Sequence, residues 1–152
     1  MSKDNSSPYL PAELCGLAES AKIVGDQWIL LILREAFYGV TRFETIRAHT
    51  GMSKQTLTQR LKLMVDMGLL RKLPYREAGA RERYEYTLTE KSRSLAPVLF
   101  ALMEWGHQQL LHTSPHIQLV DKTSGAPVSL AYVNAAGQRI ALSDVQIVKV
   151  QD

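Results

Sequence analysis

The chain has 152 residues, of which 45% are hydrophobic and 22% charged, with a formal net charge of +3. This balance is typical of one globular domain with room for an appendage and excludes a disordered or fibrous chain. The longest apolar run, at 28–33, is too short to span a bilayer, the first residues are too polar for a signal peptide, and the single cysteine excludes an internal disulfide, so we expect a cytoplasmic protein.

Positive charge is concentrated in the middle of the chain. Residues 41–93 contain twelve Lys and Arg against six Asp and Glu, whereas the remainder contains six against nine. A solvated charged face would give the same count. The asymmetry nevertheless favours a protein that approaches phosphate groups.

Two helices are predicted before residue 40. Residues 1–9 are polar and are expected to form a flexible tail, and residues 10–24 place their apolar side chains on one helical face. Gly25 should end this helix, and Asp26 is a good N-cap for the next. The second helix, at 28–37, is apolar almost all round, so it is predicted to be the central buried helix.

Residues 40–68 have the pattern of a helix-turn-helix. A short strand at 40–43 is expected before a helix at 43–49, and Gly51 gives the following turn the positive φ that other residues resist. Ser53 is the predicted N-cap of the next helix, at 53–67. Met52 and Leu57 stand at the positions of a hydrophobic staple, which fixes the entry angle of that helix.

The helix at 53–67 has two chemically different faces. Leu57, Leu61 and Met64 recur at helical spacing and should dock it to the core. The opposite side and its flanks carry side chains that can bond to base edges or phosphates: Lys54, Gln55, Thr56, Thr58, Gln59, Arg60 and Lys62. A polar helical face is usually mere solvated surface, but the preceding turn and the following hairpin favour a helix that reads DNA.

Two strands, at 69–75 and 84–88, are predicted to form a hairpin behind this helix. The intervening loop contains Arg76 and Arg81, and Arg83 follows at its end; these side chains suit phosphate or minor-groove contact. An ordinary exposed hairpin is the alternative, since two glutamates dilute the charge. We favour a DNA-contacting wing and include Arg42, at the start of the motif, among the candidate contacts.

Thr89 is the expected N-cap of a long final helix that reaches residue 111 and is kinked at Pro97. Its apolar residues cover more than one face, and one small domain cannot easily cover them all, so the surplus predicts a partner. A second copy of the chain is the simplest choice. The predicted homodimer surface combines residues of the first and last helices: Leu14, Leu17, Leu99, Leu102 and Trp105.

Residues 114–152 predict a small β-rich appendage. Strand-like segments at 116–120, 127–133 and 145–150 are separated by turns. So few strands do not form a stable unit alone, so the appendage should pack on the helical body or on a partner. Pro115 prevents the helical spacing that would aim His112 and His116 at one metal ion, and we expect neither a metal nor a cofactor.

The segments GDQWILLILREAF, LTQRL, MGLL and YEYTLTEKSR resemble those of HxlR-type winged helix-turn-helix transcriptional regulators, with a match over about two thirds of the chain. The resemblance implies a mainly α fold with a small β component, and we assign residues 10–113 to a DNA-binding and dimerisation domain. It also implies a homodimer whose two reading helices bind a palindromic operator. It places Ser53, Gln55, Gln59 and Arg60 at the DNA and Arg83 in the wing.

Cys15 matches a cysteine that some of these regulators use to sense oxidants. Sensing requires access and surroundings that favour the thiolate. Lys22 is the only helix-spaced cation nearby and the other neighbours are largely apolar, so a buried structural cysteine is favoured over a sensor.

The leading prediction is a regulator that binds double-stranded DNA as a homodimer, with a thiol or small-molecule effector left open. The alternative is a winged-helix module whose basic face docks an acidic protein without reading DNA sequence. An enzyme is the weakest hypothesis, because the sequence has no nucleophile elbow, phosphate loop or metal triad.

Overall fold

The structure is a computed structural model that describes residues 11–148, so the predicted tail at 1–9 lies outside the described residues. Four helices follow a 3-10 turn, Ala12–Leu14: α1 (Gly16–Val24), α2 (Gln27–Phe37), α3 (Phe43–Thr50) and α4 (Lys54–Asp66). An antiparallel hairpin of β1 (Leu70–Tyr75) and β2 (Arg83–Leu88) precedes α5 (Glu90–Arg93) and α6 (Ala96–Gly106). A π-helical turn (His107–Leu111), the strands β3 (Tyr132–Val133) and β4 (Arg139–Ile140) and a 3-10 turn (Leu142–Asp144) complete the order.

This order confirms the predicted fold class: mainly α with a small β component, arranged as a winged helix-turn-helix. The core lies where α2, α3, α4 and β1 meet. Its buried hydrophobic side chains are Ile29, Ile32, Leu33, Ile46, Met52, Leu57, Leu61, Met64, Leu69 and Leu70. Trp28 and Leu31, expected in the core, are only partly buried at its edge.

Helix caps fix where α2 and α4 begin. The Asp26 carboxylate accepts hydrogen bonds from the backbone N–H of Trp28 (2.8 Å) and of Ile29 (3.2 Å). The Ser53 hydroxyl accepts one from the N–H of Thr56, at 3.0 Å. Gly51, with φ of 71°, takes the left-handed conformation that ends α3, as predicted.

The first helix is shorter than predicted. Cys15 is extended, with φ of −96° and ψ of 108°, and separates the 3-10 turn from α1. The N–H groups of Leu14 and Cys15 bond to the carbonyls three residues earlier, and Gly16 is a poor helix former, so the α-helical pattern starts late. The strand expected at 40–43 is likewise reduced to one bridge, between Arg42 and Glu85.

The segment predicted to be one long final helix is divided into α5, α6 and the π-helical turn. Thr89 begins α5 with a capping box: its N–H donates to the Ser92 hydroxyl (3.0 Å), and the Ser92 N–H donates to the Thr89 hydroxyl (3.3 Å). The chain then breaks, and Pro97 lies in the first turn of α6, where its missing N–H costs no hydrogen bond. Pro97 therefore starts a helix, whereas a kink was predicted.

The appendage contains less sheet than predicted. A single bridge joins Val120 to Pro127, residues 145–148 form no strand, and the end of that predicted strand lies outside the described part. The segment between β3 and β4, expected to be a plain turn, closes a tight hairpin. The Asn134 side chain accepts hydrogen bonds from two backbone N–H groups, and Gly137 has φ of 76°. That turn brings β4 against β3.

A buried carboxylate ties the end of α2 to the end of α3. Glu35 is 3% exposed; its Oε1 accepts from Arg34 Nη2 and its Oε2 from His49 Nδ1, both at 2.7 Å. This contact could not be predicted from the sequence, because it joins positions in two different helices. Because Glu35 is buried, each of these bonds offsets part of its desolvation.

Replacing His49 with Ala should lower the free energy of unfolding by about 1–3 kcal/mol, because Glu35 Oε2 is then buried without its partner. Urea denaturation followed by circular dichroism measures this loss. Arg47→Ala is the matched control on the same helix: among residues 11–148 Arg47 pairs only with the exposed Glu44, so its loss should stay within about 0.5 kcal/mol. Equal losses in the two variants would contradict the role given to Glu35.

Candidate nucleic-acid interface

Helix α4 is anchored on one side and open on the other. Leu57, Leu61 and Met64 are at most 1% exposed, and burying each of them stabilises the docked helix by about 1.5–3 kcal/mol. The other side is exposed along its length and carries Lys54, Gln55, Thr58, Gln59 and Lys62. The spacing of apolar residues predicted both faces correctly.

Gln55 and Gln59 lie one turn apart, so their side chains emerge on the same side of α4. Within residues 11–148 neither amide has a protein hydrogen-bond partner, which leaves donors and acceptors available for a ligand. The Thr58 hydroxyl donates to the Lys54 carbonyl at 2.8 Å, and this bond turns its polar group toward the backbone. Ser53, predicted to contact DNA, is exposed and caps α4.

Two basic residues of α4 are paired within the protomer. Lys62 Nζ lies 2.6 Å from Asp66 Oδ2 in an exposed pair, which is worth little in water and can open. Arg60 differs from the expectation: it lies on the flank of α4, and its buried Nε is 2.8 Å from Asp26 Oδ2. The distance between Arg60 Nε and Asp26 Oδ2 is that of an ion pair, but the two groups are not aligned as in a hydrogen bond. The geometry therefore makes Arg60 a support that holds α4 against the start of α2.

The cations at the loop end of the hairpin differ in their pairing. Arg42, which precedes α3, lies against this end: its Nη1 is 2.7 Å from Glu77 Oε1, and its guanidinium stacks over the ring of Tyr75. At the tip of the hairpin, Arg81 and Arg83 are exposed, and in the described part of the chain neither forms an ion pair. The tip therefore carries free positive charge, whereas Arg42 is already neutralised.

An open groove of about 550 Å³ separates the start of α3 from the hairpin. Arg42, Arg83 and Tyr84 line it, together with Tyr86. Burial raises the pKa of the Tyr86 phenol, with a smaller contribution from the neighbouring Tyr84. The phenol therefore stays neutral at physiological pH and can donate a hydrogen bond.

Most of the predicted dimer residues are exposed in the protomer. Leu14 is 71% exposed, Leu17 79%, Leu102 48% and Trp105 55%. Leu99 is partly buried: it packs against the core, because the start of α6 turns it toward α2. Cys15 is partly exposed, contrary to the favoured buried state, and Lys22 is engaged by Glu19 at 2.5 Å.

Comparison with known proteins adds to this geometry. A family model described as HxlR-like helix-turn-helix matches residues 23–114. The chain belongs to this family. The HxlR-like family is one of HTH-type transcriptional regulators, not of enzymes, and the chain is accordingly a transcriptional regulator of the HTH type.

Relatives and solved structures agree with this membership. An "Uncharacterized HTH-type transcriptional regulator" of Mycobacterium tuberculosis is 40% identical over 110 residues, which cover 72% of this chain and 68% of the relative. A second HTH-type regulator, from Synechocystis, is 30% identical over a match that covers 79% of this chain and 89% of the relative. The crystal structure of PA1607, "a Putative Transcription Factor", is 33% identical with a TM-score of 0.75, covering 90% of this chain and 96% of that one. The reduced form of the transcriptional regulator YodB from B. subtilis is 28% identical with a TM-score of 0.53, and the match covers 66% of this chain and 99% of that one.

Since it covers 90% of this chain, the PA1607 match extends into the appendage, whereas the family match stops at residue 114. The helices described between residues 11 and 148 include none with the length and apolar character needed to cross a membrane.

Asp26→Asn tests the support given to α4. Asn is as good an N-cap as Asp, so α2 should keep its start, but the charge facing Arg60 is lost. We expect the free energy of unfolding to fall by about 1–2 kcal/mol, measured by urea denaturation. Asp66→Asn, which breaks the exposed pair with Lys62, is the control and should cost about 0.3–0.5 kcal/mol. An Asp26→Asn variant as stable as the wild type would remove the structural role of this pair.

Proposed function

We propose that this HxlR-like regulator binds double-stranded DNA sequence-specifically, as a homodimer on a palindromic operator. The observation that carries the proposal is the exposed, unpaired edge of α4 at Gln55 and Gln59, next to a hairpin with two free arginines at its tip. A helix of 13 residues is about 20 Å long, which suits a DNA major groove.

The side chains of the interface divide by chemistry. Gln55 and Gln59 have the donor and acceptor pair that recognises adenine, and the methyl group of Thr58 suits thymine. Lys54, Lys62, Arg81, Arg83 and the Ser53 hydroxyl suit phosphate oxygens, which position the protein without reading sequence. On binding DNA, the Arg42 guanidinium would leave the Glu77 carboxylate and contact a phosphate group instead. Arg60 is left out of the base contacts because Asp26 holds it.

Two protomers are needed for this task, because one helix reads too few base pairs. Paired reading helices bind half-sites about 34 Å apart, one turn of DNA, and double the contacts. We assign residues 10–113 to DNA binding and dimerisation, with 114–152 as the appendage. The regulator would act in the cytoplasm, where its DNA target lies.

Gln59→Ala should relax the base preference at one position of each half-site by about 1–3 kcal/mol, because a bidentate contact to adenine is lost. Arg81→Ala should instead weaken binding to all sequences and lower the slope of log affinity against log salt by about 1, since a phosphate contact is lost. Selection from a random duplex library, followed by titration of the selected site, measures both.

The alternative, a protein-docking module, predicts no enriched sequence in that selection. With about five phosphate contacts per protomer, the salt slope of the wild type should be near −9. An affinity independent of salt, or a Gln59→Ala variant with unchanged base preference, would contradict the proposed interface.

Leu17→Asp should prevent dimerisation without unfolding the protomer, because the Leu17 side chain is 79% exposed in the single chain. Analytical ultracentrifugation should show a monomer with weakened operator binding. Leu142→Asp is the matched control: this leucine is 67% exposed but lies in the appendage, and its variant should remain a dimer. A dimeric Leu17→Asp protein would place the interface elsewhere.

Control by a thiol is a second hypothesis for the same protein. Partial exposure of Cys15, between the 3-10 turn and α1, supports access, whereas the pairing of Lys22 with Glu19 argues against an activated thiolate. Operator titration of wild type and Cys15→Ser with and without hydrogen peroxide decides it. A loss of affinity confined to the oxidised wild type supports sensing, and equal behaviour dismisses it.

A further inference from the structure

A cleft lies between the end of the helical body and the appendage, away from α4. Phe100, Glu104 and Gln108 form one wall, and Ile117, Leu119 and Leu130 line the other. Its volume is about 370 Å³, which falls within the range of about 300–1,000 Å³ found for small-molecule sites. The proposed DNA interface and dimer surface do not use it.

The backbone beside this cleft is unusual. Its helical wall ends in the π-helical turn His107–Leu111, which contains Gln108. Such turns are rare and occur frequently at functional sites. The turn closes on His112, the one non-glycine residue with positive φ (52°) among residues 11–148. His112 is the C-cap of this turn, a position at which helices commonly end in the left-handed conformation.

The chemistry of the cleft selects one class of ligand. Its walls combine apolar side chains with Gln108, Gln118 and Ser129, and Glu104 supplies the sole charge among the lining residues that the structure describes. Gln108 Nε2 donates to Glu104 Oε1 at 3.2 Å, while Oε2 has no partner in the described chain. A carboxylate accepts hydrogen bonds and attracts cations, and a Phe ring beside it favours the same charge. An anion would meet Glu104 with no basic group to offset it.

We propose that this cleft is an effector site for a small organic cation: an aromatic or branched apolar body that carries one ammonium or amidinium group. The apolar body would lie against Phe100 and Leu130, and the cation would contact Glu104 Oε2. Because α6 also carries the exposed Leu102 and Trp105, an occupant could change how two protomers pack. That coupling rests on the proposed function, whereas the ligand site itself does not.

The test uses the full chain, labelled with ¹⁵N, and a pair of probes that differ only in charge. 4-Phenylbutylamine is the cation and 4-phenylbutyrate the anion, both at pH 7 and without DNA. We expect the amine to shift the amide signals of Gln108, Leu119 and Leu130, and the acid to leave them in place. Shifts at Leu30 and Leu31 alone would instead place the amine in the apolar groove between α2 and α6 and overturn the proposal.

Three variants sharpen the result. Glu104→Gln should weaken the amine about threefold to fivefold, as expected for a partly exposed ion pair. Gln109→Ala, in the same π turn but outside the lining, should bind like the wild type. Leu130→Trp should fill the cleft and abolish the shifts, with its circular dichroism spectrum as the folding check.

Equal binding of the two probes, or an unchanged affinity in Glu104→Gln, would overturn the assignment. A second copy of the chain that covered the cleft would also overturn the assignment. In that case neither probe would shift the signals of Gln108 and Leu130, and these signals would instead shift with protein concentration. Since no DNA is present, failure here is separate from failure of the operator selection.

Discussion

The docking of α4 is the constraint on which the rest of the molecule depends. Three apolar side chains at helical spacing fix one edge of the helix in the core, and this decides which polar side chains remain outside. The Ser53 cap and the left-handed Gly51 set where the helix starts, so its rotation and its register are fixed by separate contacts. A helix that slipped by one residue would turn a basic side chain, Arg60 or Lys62, toward the core.

The Asp26 carboxylate adds a second fixed point. It satisfies two N–H groups at the start of α2 and faces Arg60 on α4, so a single side chain relates the central helix to the exposed one. Glu35 does the same at the other end of α2, toward α3. The helix-turn-helix is thus held to α2 by two carboxylates outside its apolar core, and small movements of α2 would reach both of its helices.

Short-range chemistry accounts for what could be predicted from the sequence. The caps at Asp26, Ser53 and Thr89, the apolar spacing in α4 and the hairpin are local patterns, and all are confirmed. Arg60 could not be placed in the same way, because its partner is 34 positions earlier and a helical wheel shows only the angle of a residue. The apolar segments of the appendage predict more sheet than the structure contains. A strand forms only beside a partner strand, and a short apolar segment does not identify that partner.

The break at Ser94 and Leu95 has a consequence for how such a regulator changes over evolution. On one side, α5 belongs to the reading half: Lys91 Nζ donates to the Met67 carbonyl at the end of α4, and the Thr89 hydroxyl donates to that of Gly68. On the other side, α6 carries the apolar residues suited to a partner. In the proposed dimer, with only two residues between α5 and α6, a change of backbone angle at this joint would alter the distance between half-sites and leave the recognised bases unchanged. Under that proposal, operator spacing and operator sequence would diverge independently.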